Sequence, residues 1–145
     1  MKNVFALRGT SNMGKSQTIR TVAELLTTNH PDATIEHNHT TKADTRVVLT
    51  INGWKIGIES RLVNDSLDLF VNAGCDVIVC ATRTYGATVD AVTALRGFDI
   101  HWFEQPKRSQ PYEQILRSLT MARQIVAEVE AVIQPALVRT MAARA

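Results

Sequence analysis

Nowhere does this chain carry the roughly 18 consecutive apolar residues that would span a bilayer, and its start lacks the charged-then-apolar pattern of a secretory leader. No membrane partner is expected, and the reading is a soluble, cytoplasmic protein. Cysteine is scarce: Cys75 and Cys80 are the only two. They flank an apolar run outside any C-x-x-C spacing and read as buried thiols in a reducing compartment, not as a disulfide or redox pair. An excess of one charge is also missing, since 16 Lys and Arg stand against 14 Asp and Glu for a net charge of +2. No basic run exceeds two residues, so the sequence gives no clear signal for nucleic acid or an acidic surface. The G-x-S-x-G and H-E-x-x-H patterns are absent, as are repeats and low-complexity tracts.

What is present is a core's worth of apolar residues, 45% of 145, which fits one domain over residues 1–145. Its organising stretch is Gly9-Thr10-Ser11-Asn12-Met13-Gly14-Lys15-Ser16, which satisfies every fixed position of G-x-x-x-x-G-K-[ST]. The two glycines let the backbone wrap with its N–H groups inward, where a Cβ would block both the dihedrals and the approach of a phosphate oxygen. Lys15 would reach the β and γ phosphates, Ser16 would offer its hydroxyl to magnesium, and Gln17 opens the helix behind the cup. The flanks agree. Asn3-Val4-Phe5-Ala6-Leu7 is an apolar run of strand length, and residues 16–26 carry apolar side chains at helical spacing.

By these residues the chain resembles the P-loop (Walker A) nucleoside triphosphatase superfamily, in its kinase or GTPase-like branch. The resemblance covers residues 3–26 and, more loosely, the order of later elements. It implies an α/β fold: a three-layer αβα sandwich with a mostly parallel sheet and an antiparallel hairpin. It also implies binding of a magnesium nucleoside triphosphate.

Further along, Asn29-His30-Pro31-Asp32 stops the first helix. Residues 34–40 read as a polar edge strand, residues 46–51 as a stronger one, and Asn52-Gly53 as a hairpin turn before a return strand at 54–59. If that return strand runs parallel to the first, its end and the turn at Thr40-Thr41-Lys42-Ala43-Asp44 both face the nucleotide. Asn64-Asp65-Ser66 can cap a helix over 67–73 that Gly74 ends. Residues 76–81 are the most continuous apolar strand and belong mid-sheet. A helix over 88–96, closed by Gly97, and a last strand over 99–104 follow. From Tyr112 onward Tyr112, Ile115, Leu116, Leu119, Ala122, Val126, Val129 and Ile133 keep near-helical spacing. A rod over 111–143 would be about 50 Å long, more than the width of the domain. It must bend near Pro135, or its tail projects and supports a homo-oligomer.

Ligands in open parallel sheets gather at the carboxyl ends of strands, which sorts the candidates. Asp76 and Asp99 open their strands, whereas Glu59 and Glu104 close theirs. Glu59 is the candidate for the Walker B carboxylate that holds magnesium through water, although Lys55 and Gly57 interrupt the usual apolar approach; Asp65 is its rival. Arg46, Arg61, Thr82 and Arg83 fall at the same edge, and Arg83 is the candidate for stabilising charge on a transferring phosphoryl group. Thr41-Lys42-Ala43-Asp44 fits the guanine-reading pattern [NT]-K-x-D but comes too early in the chain for that role. The loop Gln105-Pro106-Lys107-Arg108 is better placed to touch a base and lacks a guanine signature, which favours ATP over GTP. His37 and His39 would share one strand face, where a zinc site would need further ligands.

The residues thus lead to magnesium-dependent nucleoside triphosphate binding and hydrolysis, possible as a switch with Thr40, Thr41 and the 60–66 loop as movable parts. The alternatives are a small-molecule or nucleotide kinase, and a nucleotide-sensing module without useful turnover.

Overall fold

The computed structural model describes residues 2–9, 14–62, 65–105 and 111–134. Within them the chain forms β1 (Lys2–Arg8), α1 (Lys15–Asn29), β2 (Thr34–Asn38), β3 (Arg46–Ile51), β4 (Trp54–Glu59), α2 (Ser66–Asn72), β5 (Val77–Thr82), α3 (Ala87–Thr93), β6 (Phe98–Glu104) and α4 (Pro111–Val132). The six strands make one sheet in the order β2-β3-β4-β5-β1-β6. The sheet is mixed: β4, β5, β1 and β6 run parallel, while β3 is antiparallel to both β2 and β4. The expected mostly parallel sheet therefore holds for four contiguous strands, and the meander at 34–59 supplies the antiparallel remainder.

Local chemistry accounts for the turns. Asn52 and Gly53 both take positive φ, 54° and 82°, the combination whose twist matches a two-residue hairpin. β5 is buried at every position, as its unbroken apolar run requires for a strand covered on both faces. β2, polar but for Ile35, is exposed along its length at the sheet edge. Its register slips between Ile35 and His37, an irregularity that makes an open edge a poorer template for another strand.

One face of the sheet carries Phe5, Leu7, Val47, Leu49, Ile56, Ile58, Val77 and Val79, packed against Ile19, Val22 and Leu26 of α1 and Ala122, Ile125, Val126 and Val129 of α4. The other carries Val4, Ala6, Val48, Ile78 and Cys80, packed against Leu67 and Phe70 of α2 and Val92 of α3. Cys75 and Cys80 are free and buried, and burial raises their thiols to about 11 and about 12.

Two departures from the sequence reading have simple causes. α3 ends at Thr93, not at residue 96, and Gly97 with φ 79° turns the chain into β6. In α4, Ala122, Val126, Val129 and Ile133 are buried as the periodicity required, yet Tyr112, Ile115 and Leu116 are 62%, 66% and 60% exposed. Ser118 contacts Gly14 at the start of α1, and Glu130 accepts from Asn29 at its end. The two helices therefore lie side by side and parallel, and α4 begins about 10 Å beyond α1, counting 1.5 Å per residue from 111 to 118. Its first turns have no helix beneath them among the described residues. The bend near Pro135 and the tail to residue 145 lie outside the described residues.

Candidate functional site

The carboxyl ends of β4, β5, β1 and β6 form one rim, and the candidate residues sort along it. At its centre β1 runs out into Gly9, whose N–H donates to the Thr82 carbonyl at 3.3 Å. Gly14, with φ 78° and ψ 16°, is the left-handed residue that turns the chain into α1. No other residue fits there: a Cβ would lie 2.9 Å from Ser118 Oγ and 3.2 Å from Gln105 Nε2, in a backbone region that side chains avoid. Thr10, Ser11, Asn12 and Met13 lie outside the described residues.

Lys15 begins α1 and turns back over the rim. Its Nζ donates to the carbonyls of Gly9 and Thr82, at 2.5 Å each. Two neutral carbonyls are weak compensation for a part-buried ammonium. Burial, with a smaller contribution from the Arg83 guanidinium, holds Lys15 below its ordinary value of 10.5. An anion on the loop would supply the missing counter-charge. Ser16 and Gln17 are exposed on the first turn of α1, and the Gln17 amide donates to Thr21 Oγ1 at 3.2 Å.

Beneath the loop lies a buried polar hub that the sequence did not announce. Gln105 follows β6 and is 4% exposed. Its Oε1 accepts from Thr18 Oγ1 at 2.8 Å, its Nε2 donates to Ser118 Oγ at 3.1 Å, and its N–H donates to the Arg8 carbonyl at 3.0 Å. Ser118 in turn reaches the Gly14 carbonyl at 3.3 Å. The hub ties β1, α1, β6 and α4 to the second glycine. Its one sequence signal is Ser118, a polar residue on the apolar stripe of α4. The remainder of the expected base-reading loop, residues 106–108, lies outside the described residues.

On one side of the rim, Glu59 closes β4 as expected, but it is no solvated strand end: it is 3% exposed. Arg46, opposite it on β3, donates Nε to Oε1 at 2.7 Å and approaches the same oxygen through a second nitrogen at 2.6 Å. That second nitrogen also reaches Ser66 Oγ at 3.3 Å. Oε2 is buried with no hydrogen-bond partner among the described residues. The interruptions in the Walker B approach now have reasons. Gly57 is the floor on which the Phe70 ring lies, and a Cβ there would sit 2.7 Å from Phe70 Cδ1. Lys55 is at the far end of β4, where it pairs with Glu36 at 3.1 Å and donates to the Ala73 carbonyl at 2.9 Å.

The other candidates scatter. Asp65 is exposed at the start of α2 and makes no side-chain cap bond there. Arg83 is exposed after β5, its backbone N–H donating to Thr88 Oγ1 at 3.1 Å. Arg61 is exposed and 3.9 Å from Asp44. Glu104 pairs with Arg8 on the surface. Asp76 accepts from the Lys55 N–H at 3.0 Å, at the opposite rim. Thr41-Lys42-Ala43-Asp44 closes on itself, Thr41 N–H to the Asp44 carbonyl at 2.8 Å. Arg20 of α1 pins it through the carbonyls of Thr41 and Lys42. His37 of the exposed edge strand and His39, just past its end, stack at 6.4 Å. Among the described residues no three His, Cys, Asp or Glu side chains converge as a metal-ligand group, and no helix is long and apolar enough to cross a membrane.

No protein-family model, no curated protein and no solved structure matches this chain.

Proposed function

We propose that the chain binds a magnesium nucleoside triphosphate, ATP in preference to GTP, at Gly9 to Gln17 and hydrolyses its terminal phosphoanhydride on a P-loop NTPase-like fold. The observation that carries this reading is Lys15, whose ammonium is drawn over Gly9 and Thr82 and left short of counter-charge. The left-handed Gly14 and the parallel run of strands under the loop support it further.

The donor set is compatible with magnesium. Ser16 offers a hydroxyl on the first turn of α1, and Glu59 Oε2 is an acceptor without a donor among the described residues. Ser16 and Glu59 would hold the ion, Glu59 through water. When bound, such an ion neutralises charge on the β and γ oxygens. Arg83, free to turn inward from the rim, would meet charge developing on the γ-phosphoryl oxygens. The preference for ATP rests on the absence of a guanine signature after β6, and in the Thr41–Asp44 turn Thr41 is engaged in closing on Asp44.

The Arg46–Glu59 pair favours a second reading, a nucleotide-sensing module. A carboxylate held at Oε1 by arginine is not poised to polarise water. The test is calorimetry with Mg-ATP and Mg-GTP followed by product analysis. Wild type binds and releases phosphate, and Lys15→Ala loses most of the affinity while its unfolding midpoint stays near that of wild type. Intact bound triphosphate selects the sensor, and a phosphorylated nucleoside monophosphate acceptor selects a kinase. Unchanged affinity in Lys15→Ala removes the phosphate site from the account.

A further inference from the structure

The apolar overhang of α4 stands beside the phosphate loop, and sheet order fixes which end of a nucleotide it could meet. Glu59 and Arg83, the groups suited to the γ-phosphate, close β4 and β5, on one side of β1. Gln105 follows β6, on the other side of β1, and donates to Ser118 near the start of α4. A triphosphate lying along the rim with its γ end toward Glu59 sends its sugar and base toward β6 and α4. There Ile115 sits three residues before Ser118 and seven before the buried Ala122, so it continues the stripe that meets α1 lower down. Because α1 begins level with Ser118, that stripe runs past Gly14 with no helix opposite it among the described residues. Tyr112, one turn earlier, widens the surface, and both side chains are more than half exposed. Leu116 lies about 100° round the helix from Ile115, past Tyr112, and its line continues into the exposed Thr120 and Arg123.

We infer that Ile115 and Tyr112 form the wall against which the base of the bound nucleoside triphosphate rests, so that the overhang of α4 belongs to the nucleotide site. This inference rests on the phosphate-site reading proposed above. An apolar and aromatic wall beside a polyanion cradle suits a ligand with a phosphate chain at one end and a flat heterocycle at the other. Inorganic tripolyphosphate has the first part alone, and comparing the two isolates the wall.

The experiment measures binding of Mg-ATP and Mg-tripolyphosphate to wild type, to Ile115→Ala/Tyr112→Ala and to Leu116→Ala, with sedimentation of each. ATP affinity is expected to fall about tenfold in the double variant. Tripolyphosphate affinity stays at the wild-type value, and Leu116→Ala changes neither. All three side chains are exposed, so folding is not at stake. Equal losses for both ligands, or an unchanged ATP affinity, overturn the inference alone. So does a wild-type dimer that the double variant dissociates with ATP binding intact, which would make the overhang a self-association surface. If wild type binds neither ligand, the phosphate-site reading falls and takes the wall with it.

Discussion

Arg46 and Glu59 face each other across β3 and β4 with unequal access to water: the glutamate side chain is 5% exposed and the arginine 27%. That asymmetry sets unequal costs for removing either partner. Arg46→Met strands a carboxylate in a place where its Oε2 already has no partner among the described residues. A buried charge left without its partner costs about 3 to 5 kcal/mol, and allowing for the solvated part of the guanidinium brings this to about 2 to 3 kcal/mol. Glu59→Leu is milder, about 0 to 1 kcal/mol, because the freed guanidinium can turn to water or keep Ser66. The double variant replaces the pair with apolar groups of similar size and falls within about 1 kcal/mol of wild type. For a chain of 145 residues, a loss of 2 to 3 kcal/mol corresponds to a Tm lower by roughly 7 to 10 °C. Urea unfolding of the four proteins, followed by the fluorescence of Trp54 and Trp102, closes the cycle, with the m-value required to stay constant. An Arg46→Met variant as stable as wild type would refute the reasoning. So would a cycle in which Glu59→Leu is the costlier single change, because the pair would then be an ordinary solvated contact.

Gly57→Ala drives a methyl group into the Phe70 ring and is expected to cost about 1 to 3 kcal/mol, partly recovered by Phe70→Leu; an unchanged urea midpoint would contradict the packing described. Because Lys15 is held below 10.5, the unfolded chain binds more protons between that lowered value and 10.5. Stability should therefore rise with pH across this window in wild type and lose that rise in Lys15→Met. A triphosphate raises the lysine again, so binding in the same window takes up protons. Calorimetry in two buffers of different ionisation enthalpy reads this uptake, and heats independent of buffer would count against it.

The architecture was legible wherever a local rule had one solution. Asn52-Gly53 announced the hairpin, the mostly polar run at 34–40 announced an edge, and the apolar run at 76–81 announced a strand covered on both faces. The glycine before α1 was legible for the same reason, since Gly14 takes a left-handed backbone that few residue types tolerate. Less legible was everything set by a neighbour distant in sequence. Arg46 read as one of several groups at the nucleotide edge, and only pairing between β3 and β4 places it on Glu59. Gln105 looked like the start of a loop, yet it is the hub under Gly14. Periodicity told which residues of α4 share a face. It could not tell that α1 stops short of Ile115, so a continuous apolar stripe divided into a buried part and an exposed one.

The placement of β1 between β5 and β6 also bears on synthesis. Both flanking strands of the opening segment are encoded far downstream, and the groups that shape Gly14 come later still, at Gln105 and Ser118. A nascent chain released from the ribosome as far as Glu59 can close the β3–β4 hairpin by itself, whereas its first strand has nothing to pair with. The surroundings of Gly14 must therefore wait for α4, so binding at the proposed phosphate site would report on completed folding instead of aiding it early.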